Sequence, residues 1–578
     1  MESAATNTVE ITQVQSQKII TGAEAVILSL LEENVDLIFG YPGGAIMPIY
    51  DALYDYEDRL THILVRHEQG AVHAAQGYSR ASGKVGVCFA TSGPGATNLV
   101  TGIADAQIDS TPLVCITGQV ASSLLGTDAF QETDVIGITM PVTKWNYQVT
   151  RAEEIPWVMA RAFYIARSGR PGPVLIDITK DAQFGKAPYK YDKCTFIRSY
   201  QPIPKLNQAK ILEAAEVINK SKRPYILAGH GILLSDACKE LLEFAEKAEI
   251  PVASTLLGLS AFPTDHPLYV GYLGMHGNYG TNVKTNECDV LIAIGMRFDD
   301  RITGDVNQYA RQAKIIHIEI DESEINKIIP ADIAIHADAK EAIVKLTSLL
   351  VPANHKDWLK GFKVCEKLEY EKVIQHEIYP TSGKLRMAEV IEQLSVITGG
   401  DAVIVTDVGQ HQMVASRYFK FKTPNTNITS GGLGTMGFAL PAAIGAKLGR
   451  PDKQVIAIIG DGGFQMTLQE LGTIFQSKIP VKIIILNNQF LGMVRQWQQL
   501  FFDKRYSFTE MVNPDFVTIA KGFHIQSERL EQRSELSASI NRMLAHPDAF
   551  LLEIMVEREE NVFPMVPAGA PISAIRLE

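Results

Sequence analysis

Val455-Ile456-Ala457-Ile458-Ile459-Gly460-Asp461-Gly462-Gly463, followed after a helix-like span from Met466 to Ser477 by Val481-Lys482-Ile483-Ile484-Ile485-Leu486-Asn487-Asn488, decides the fold of this chain. Two short β-branched apolar runs flanking a helix read as a βαβ unit. A right-handed crossover brings the ends of both strands to one edge of a parallel sheet, the edge at which open α/β sheets take ligands. Asp461 and Asn488 then stand together. With a main-chain carbonyl at Phe490 they suit a diphosphate-bound Mg²⁺, which prefers octahedral oxygen coordination and takes few protein side chains. Taken singly, Gly-Asp-Gly is a turn and Asn-Asn a helix entry; their spacing on matching strand ends favours the metal. Two other nucleotide motifs fail. Gln465 stands where the dinucleotide fingerprint wants Gly or Ala, and Gly77 to Lys84, followed by Val85, is one residue too long for a P-loop.

The chain has 578 residues, 46% hydrophobic and 21% charged, enough for several cores. A net charge of −11 with interspersed signs argues against nucleic-acid and anionic-membrane partners. No apolar run reaches the roughly 18 residues a membrane helix needs. The six cysteines (Cys88, Cys115, Cys194, Cys238, Cys288, Cys365) are scattered without Cys-x-x-Cys pairing, so the expected compartment is a reducing cytoplasm.

Alternating helix-like and strand-like segments predict three doubly wound α/β domains. Residues 1–17 read as a flexible tail and 18–185 as the first domain, with a helix from Gly22 to Asn34 and strands at Leu37 to Phe39, Val85 to Ala90 and Leu113 to Thr117. A linker, 186–205, leads to the second domain, 206–350, with strands at Pro224 to Ala228, Val290 to Ile294 and Ile315 to Ile320. A connector, 351–380, precedes the third, 381–560, and residues 561–578 form a tail and candidate lid.

In the first domain, Val65-Arg66-His67-Glu68-Gln69-Gly70-Ala71 places a carboxylate where a strand yields to a helix, Glu68 to Ser82, stopped by Gly83. Read alone, Glu68 is an ordinary first-turn acid complementing the helix dipole. Long runs across the chain add to it: Gly40-Tyr41-Pro42-Gly43-Gly44-Ala45, Thr91-Ser92-Gly93-Pro94-Gly95-Ala96-Thr97-Asn98, Gly126-Thr127-Asp128-Ala129-Phe130-Gln131-Glu132, Leu273-Gly274-Met275-His276-Gly277, Arg297-Phe298-Asp299-Asp300-Arg301, Gly409-Gln410-His411-Gln412-Met413 and Thr429-Ser430-Gly431-Gly432-Leu433-Gly434-Thr435-Met436-Gly437. With these, the chain from about Thr21 to Pro567 closely resembles the acetohydroxyacid synthase (acetolactate synthase) family.

That resemblance implies thiamine diphosphate, Mg²⁺ and FAD. Glu68 would hydrogen-bond the aminopyrimidine ring and activate the coenzyme, with Tyr41, Pro42, Gly43, Pro94 and Asn98 around it. Gly409, Gln410, His411, Gly434, Met436, Gly460, Gly462, Gly463, Leu491, Gly492 and Met493 would hold the diphosphate and thiazolium, and Asp461, Asn488 and Phe490 the metal. Without the resemblance, Met436 and Met493 fit core filling. FAD would fall on Arg170, Gly229, Gly231, Thr255, Leu256, His276, Gly295, Arg297, Glu319 and Asp338; the glycines follow apolar strands, where backbone N–H groups can approach phosphate. Arg297 and Glu319 could equally be a surface ion pair. Arg301, a planar fork for a 2-oxo acid carboxylate, would line the substrate pocket with Met275, Val494 and Trp497, the last in a stretch from Asn488 to Phe502 that reads as an apolar-rich helix, where plain packing is the alternative. Phe130 and Gln131 would sit beside the reacting carbon and Lys180 at the channel mouth.

The implied reaction is decarboxylation of pyruvate and its condensation with pyruvate or 2-oxobutanoate by a large catalytic subunit. Its sites would be shared across a homodimer or tetramer, with a separate small regulatory subunit. A pyruvate oxidase-like flavin enzyme is the runner-up. A glyoxylate carboligase, which lacks the activating glutamate, and a catalytically dead nucleotide-binding scaffold fit less well.

Overall fold

The computed structural model describes residues 18–578, so the tail read at residues 1–17 lies outside the described residues. Three six-stranded sheets follow one another along the chain, each strand parallel to its neighbours. In the first, the spatial order is Thr61–Leu64, Leu37–Gly40, Gly86–Ala90, Leu113–Gln119, Pro173–Thr179, Trp145–Val149. In the second it is Tyr269–Tyr272, Val252–Ser254, Pro224–Ala228, Val290–Ile294, Lys314–Glu319, Ile333–His336. The third runs Asn427–Thr429, Val403–Thr406, Val455–Gly460, Lys482–Asn487, Phe550–Met555, Gln526–Leu530. Helices cover both faces, so the central strands are buried on both sides and read as unbroken apolar runs rather than alternating ones. A short antiparallel pair, Ile19–Thr21 with Lys186–Pro188, closes the first unit.

Two helix readings need correction. The span from Met466 to Ser477 is not one helix: a helix starts at once at Asp461 and runs to Thr467, a 3₁₀ turn follows at Leu468–Glu470, and a second helix covers Leu471–Ser477. Gly462 and Gly463 weaken any propensity signal there, and Gly463 lies so close to the Asp407 carboxylate that a Cβ at this position would clash with it. Nor does a helix begin at Asn488. Gln489 turns the chain at φ +59°, Phe490 bridges to Glu510, and the helix covers only Gly492–Phe501. The helix Glu68–Ser82 forms as its sequence predicts, with Gly83 left-handed at φ 74°.

The first and third sheets meet through Glu68–Ser82 and the helix Ala439–Gly449. A Cβ on Gly77 would clash with the Ala442 carbonyl, and one on Gly445 with that of Ala74. The two backbones touch at these glycines. Gly445→Val should therefore cost about 3 kcal/mol by forcing the helices apart, read as a lowered midpoint in denaturant unfolding; an unchanged midpoint would show that the contact yields freely.

Residues 562–578 lie against the second sheet. Val566, Ile572 and Ile575 join a core with Tyr225, Leu291, Trp358 and Phe362, and Val566 N–H donates to Met275 O at 2.8 Å. Among the described residues, no helix is long and apolar enough to cross a membrane.

Candidate active site

The chain winds from Val403–Thr406 outward to Asn427–Thr429 on one side and returns to Val455–Gly460 on the other. This reversal opens a crevice at the carboxyl ends of Val403–Thr406 and Val455–Gly460, where such sheets bind ligands. Gly460 pairs with Leu486 across the next strand, so Asp461 and Asn488 emerge side by side. Both are buried, 1% and 2% exposed. Asp461 forms no ion pair among the described residues, and burial pushes its carboxyl up to about 6. One carboxylate and one amide of hard oxygen character fit Mg²⁺ and leave positions for phosphate and water.

Around them the crevice is built from glycine and buried polar side chains. Gly409 stands at φ 151°, open only to glycine, directly before the helix Gln410–Tyr418. His411 is buried and neutral, its pKa lowered to about 4 by desolvation, and its Nε2 has no partner among the described residues. A buried ring nitrogen left unsatisfied marks a place for a polar ligand. Gln410 accepts from Asn488 Nδ2 at 3.4 Å and donates to Gln496 Oε1 at 2.9 Å and to Glu560 O at 2.8 Å, tying the crevice to the C-terminal segment.

Sequence reasoning missed three residues here. Asn513 donates to Asp461 Oδ2 at 2.6 Å and to Asn487 Oδ1 at 3.1 Å. Asp407, wholly buried, accepts the N–H groups of Val408, Gly437 and Ala439 at 2.9, 3.0 and 3.0 Å and so ties the end of one strand to the start of the helix Ala439–Gly449. Gln496 bonds both Gln410 and the Val562 N–H, the latter at 2.9 Å. All three act through long-range side-chain contacts that leave no local periodicity.

A cavity of about 720 Å³ runs from this crevice into the second domain, well within the range for cofactor sites. Arg170, Gly231, Thr255, Leu256, His276, Gly295, Arg297, Glu319 and Asp338 line it, and so do Gly409, Gly434, Met436, Met493, Met275, Arg301, Val494 and Trp497. Met436 and Met493 are thus wall residues and not core filler. Arg297 and Glu319 do not pair: Glu319 accepts from Ile320 N–H and Asp321 N–H at 2.9 and 3.2 Å, and burial raises its carboxyl to about 7. His276 Nδ1 is buried and has no partner among the described residues. These donors and acceptors, set at or just beyond the carboxyl ends of five strands of the second sheet, fit a dinucleotide. Arg170 reaches it while bonded to Asp321 and Glu324, both at 3.1 Å. Asp338 caps the helix Ala339–Leu349 through Glu341 N–H and also accepts from Ser235 Oγ at 2.8 Å. Gly229 packs against Gly295 instead of lining the cavity.

A separate group gathers at the carboxyl edge of the first sheet, where Tyr41, Pro42, Gly43, Glu68, Pro94, Asn98, Phe130, Gln131 and Lys180 follow five strand ends. Glu68, 9% exposed, accepts from Asn98 Nδ2 at 3.0 Å. Its helix is steadied from the third domain, where Glu470 accepts the Arg66 N–H at 3.1 Å and the Thr473 hydroxyl at 2.6 Å. None of this group lines the cavity.

Comparison with known proteins agrees with this architecture. Three thiamine pyrophosphate enzyme models match: the N-terminal TPP binding domain at residues 20–138, the central domain at 211–346 and the C-terminal TPP binding domain at 407–554. A probable acetolactate synthase large subunit of Methanocaldococcus jannaschii is 47% identical over 567 residues, covering 96% of this chain and 95% of the relative. The acetolactate synthase large subunit of Corynebacterium glutamicum is 46% identical, over 96% of this chain and 90% of its own. The acetolactate synthase isozyme 2 large subunit of Escherichia coli K12 is 45% identical, over 95% and 98%. With three coenzyme-family domains in order and such relatives matched nearly end to end, the chain belongs to the acetolactate synthase large subunit family of thiamine pyrophosphate enzymes.

Proposed function

We propose that this chain decarboxylates pyruvate and joins its remaining two carbons to a second 2-oxo acid. The products are 2-acetolactate from pyruvate and 2-aceto-2-hydroxybutanoate from 2-oxobutanoate, on the route to branched-chain amino acids. The observation that carries the reading is the adjacency of Asp461 and Asn488 in a switch-point crevice that opens into a cavity walled by Arg301 and Trp497.

Bound thiamine diphosphate supplies a nucleophilic ring carbon and an electron sink for decarboxylation. The chain supplies the rest. Asp461, Asn488 and the Phe490 carbonyl hold Mg²⁺; Gly409, Gln410, His411, Gly434, Gly460, Gly462, Gly463, Leu491 and Gly492 receive the diphosphate, and Met436 and Met493 flank the thiazolium. Glu68, with Asn98 fixing its orientation, takes and returns a proton at the pyrimidine ring. Arg301 binds the acceptor carboxylate while Trp497, Met275 and Val494 wall its alkyl group, and Phe130, Gln131 and Lys180 approach from the first domain. A hydrophobic wall separates pyruvate from 2-oxobutanoate by only about 1–3 kcal/mol.

FAD belongs to the same proposal, held by the second-domain residues of the cavity in a structural role. So does a site shared between two copies of the chain, Glu68 of one facing Asp461 of the other; its support is that the first-domain group lines no part of the cavity that Arg301 and Trp497 wall, while Phe130 of that group is 88% exposed and open to a second copy. The relatives' designation as large subunits supports a separate small regulatory subunit. Six cysteines without a pairing motif support a reducing cytoplasm.

Pyruvate supplied without air or any electron acceptor tests the reading. Expected are acetolactate and one CO₂ for every two pyruvate consumed. Turnover only with an added acceptor would instead assign a pyruvate oxidase.

A further inference from the structure

Phe130 is largely exposed and Gln131 stands at φ +60°, yet the loop they occupy is anchored at both ends. Upstream, Asp181 accepts the Ser122 N–H at 2.8 Å and its hydroxyl at 2.5 Å. Downstream, buried Gln119 donates to Thr133 O at 3.0 Å and to Asp177 Oδ2 at 3.1 Å. Asp177 in turn takes the Thr117 hydroxyl at 2.7 Å and the Gln148 amide at 3.0 Å. Fixed ends still leave the middle free to choose among conformations.

That choice is made by the carboxylate of Glu132. It accepts the backbone N–H of Gly126, of Thr127 at 3.2 Å and of Ala129 at 3.1 Å, so the turn closes around it. The N–H donors, that of Gly126 foremost, hold the carboxyl below its ordinary range, so it is ionised at neutral pH and its hydrogen bonds are charge-assisted. Asp128 and Gln131 both occupy the left-handed region, which residues with a Cβ rarely choose unaided. Without the carboxylate, both can relax to negative φ and swing their side chains away.

We propose that Glu132 is a positioning residue that presents Phe130 and Gln131 to the reacting carbon by gathering the backbone of Gly126–Ala129 onto its side chain. The inference rests on the substrate role given to Phe130 and Gln131 in the proposed function.

The test uses enzyme loaded with thiamine diphosphate, Mg²⁺ and FAD, comparing Glu132→Ala, Glu132→Gln and Gln131→Ala. Expected for Glu132→Ala is a fall in kcat of about 10²-fold, the cost of a small misplacement at a reacting centre. It should match Gln131→Ala, with an altered product ratio when pyruvate and 2-oxobutanoate compete and with coenzyme affinity and Tm unchanged. Glu132→Gln keeps one carbonyl oxygen for Thr127 and Ala129 but turns an NH₂ toward Gly126, so an intermediate loss is expected; this variant decides if the alanine form does not fold. Should Gln131→Ala lose activity while the Glu132 variants keep both kcat and product ratio, the positioning role is overturned and the function stands. A loss of Tm or coenzyme affinity in step with activity would also overturn it. If Gln131→Ala is itself fully active, the substrate assignment falls and the inference with it.

Discussion

Glu68→Gln should lower kcat by about 10²–10⁴-fold, the usual worth of a positioned proton-transfer group, while leaving thiamine diphosphate affinity largely intact. Glutamine keeps the shape and can still accept from Asn98, which lies 3.0 Å from Glu68 Oε2. It cannot take or return a proton. Glu68 is buried and its helix rests on the glycine contact with Ala439–Gly449, so the substitution leaves the surroundings in place. Steady-state kinetics beside a coenzyme titration would separate the two effects. Full activity in the variant would remove Glu68 from the mechanism.

Asp461→Asn should weaken Mg²⁺ binding by more than about 100-fold, because even outer-shell changes cost 10–100-fold and here a charged oxygen donor is lost. Activity and coenzyme retention should fall together, as they should on chelation of the native enzyme. The same variant is expected to be the more stable protein when metal-free. Burial raises the Asp461 carboxyl from 3.8 to about 6, so at pH 8 its ionisation costs folding free energy, about 1–3 kcal/mol. That cost shrinks as pH falls through 6 and vanishes below 3.8, where the group is protonated in both folded and unfolded chains. Thermal melts of both metal-free proteins at pH 8 and pH 5 would read the difference; equal melting at pH 8, or undiminished Mg²⁺ affinity, would contradict this account.

Much of this was legible locally. Parallel strands buried on both faces announce themselves as unbroken runs such as Val455–Ile459, and the helix from Glu68 to its Gly83 stop carries both boundary signals. What stayed hidden was decided elsewhere in the chain. The helix at Asp461 starts on two glycines, and the closeness of Asp407 leaves no room for a Cβ at Gly463, while Gln489 ends any helical reading of Asn488 by turning left-handed. The apparent Arg297–Glu319 pair dissolves because the backbone itself satisfies the buried Glu319. Asn513, Gln496 and Asp407 show no pattern in one dimension, since each does its work through partners far away in sequence.

The placement of Val566, Ile572 and Ile575 within the second domain's core also bears on how the molecule is made. A ribosome delivers Tyr225, Leu291 and their neighbours long before it reaches these three side chains, and the whole third sheet is translated in between. Domains generally fold as units in the order of synthesis, but here the middle one must wait with an unfilled apolar face. Pulse-labelled nascent chains halted before residue 562 should accordingly leave that domain protease-sensitive, and release of the finished chain should protect it.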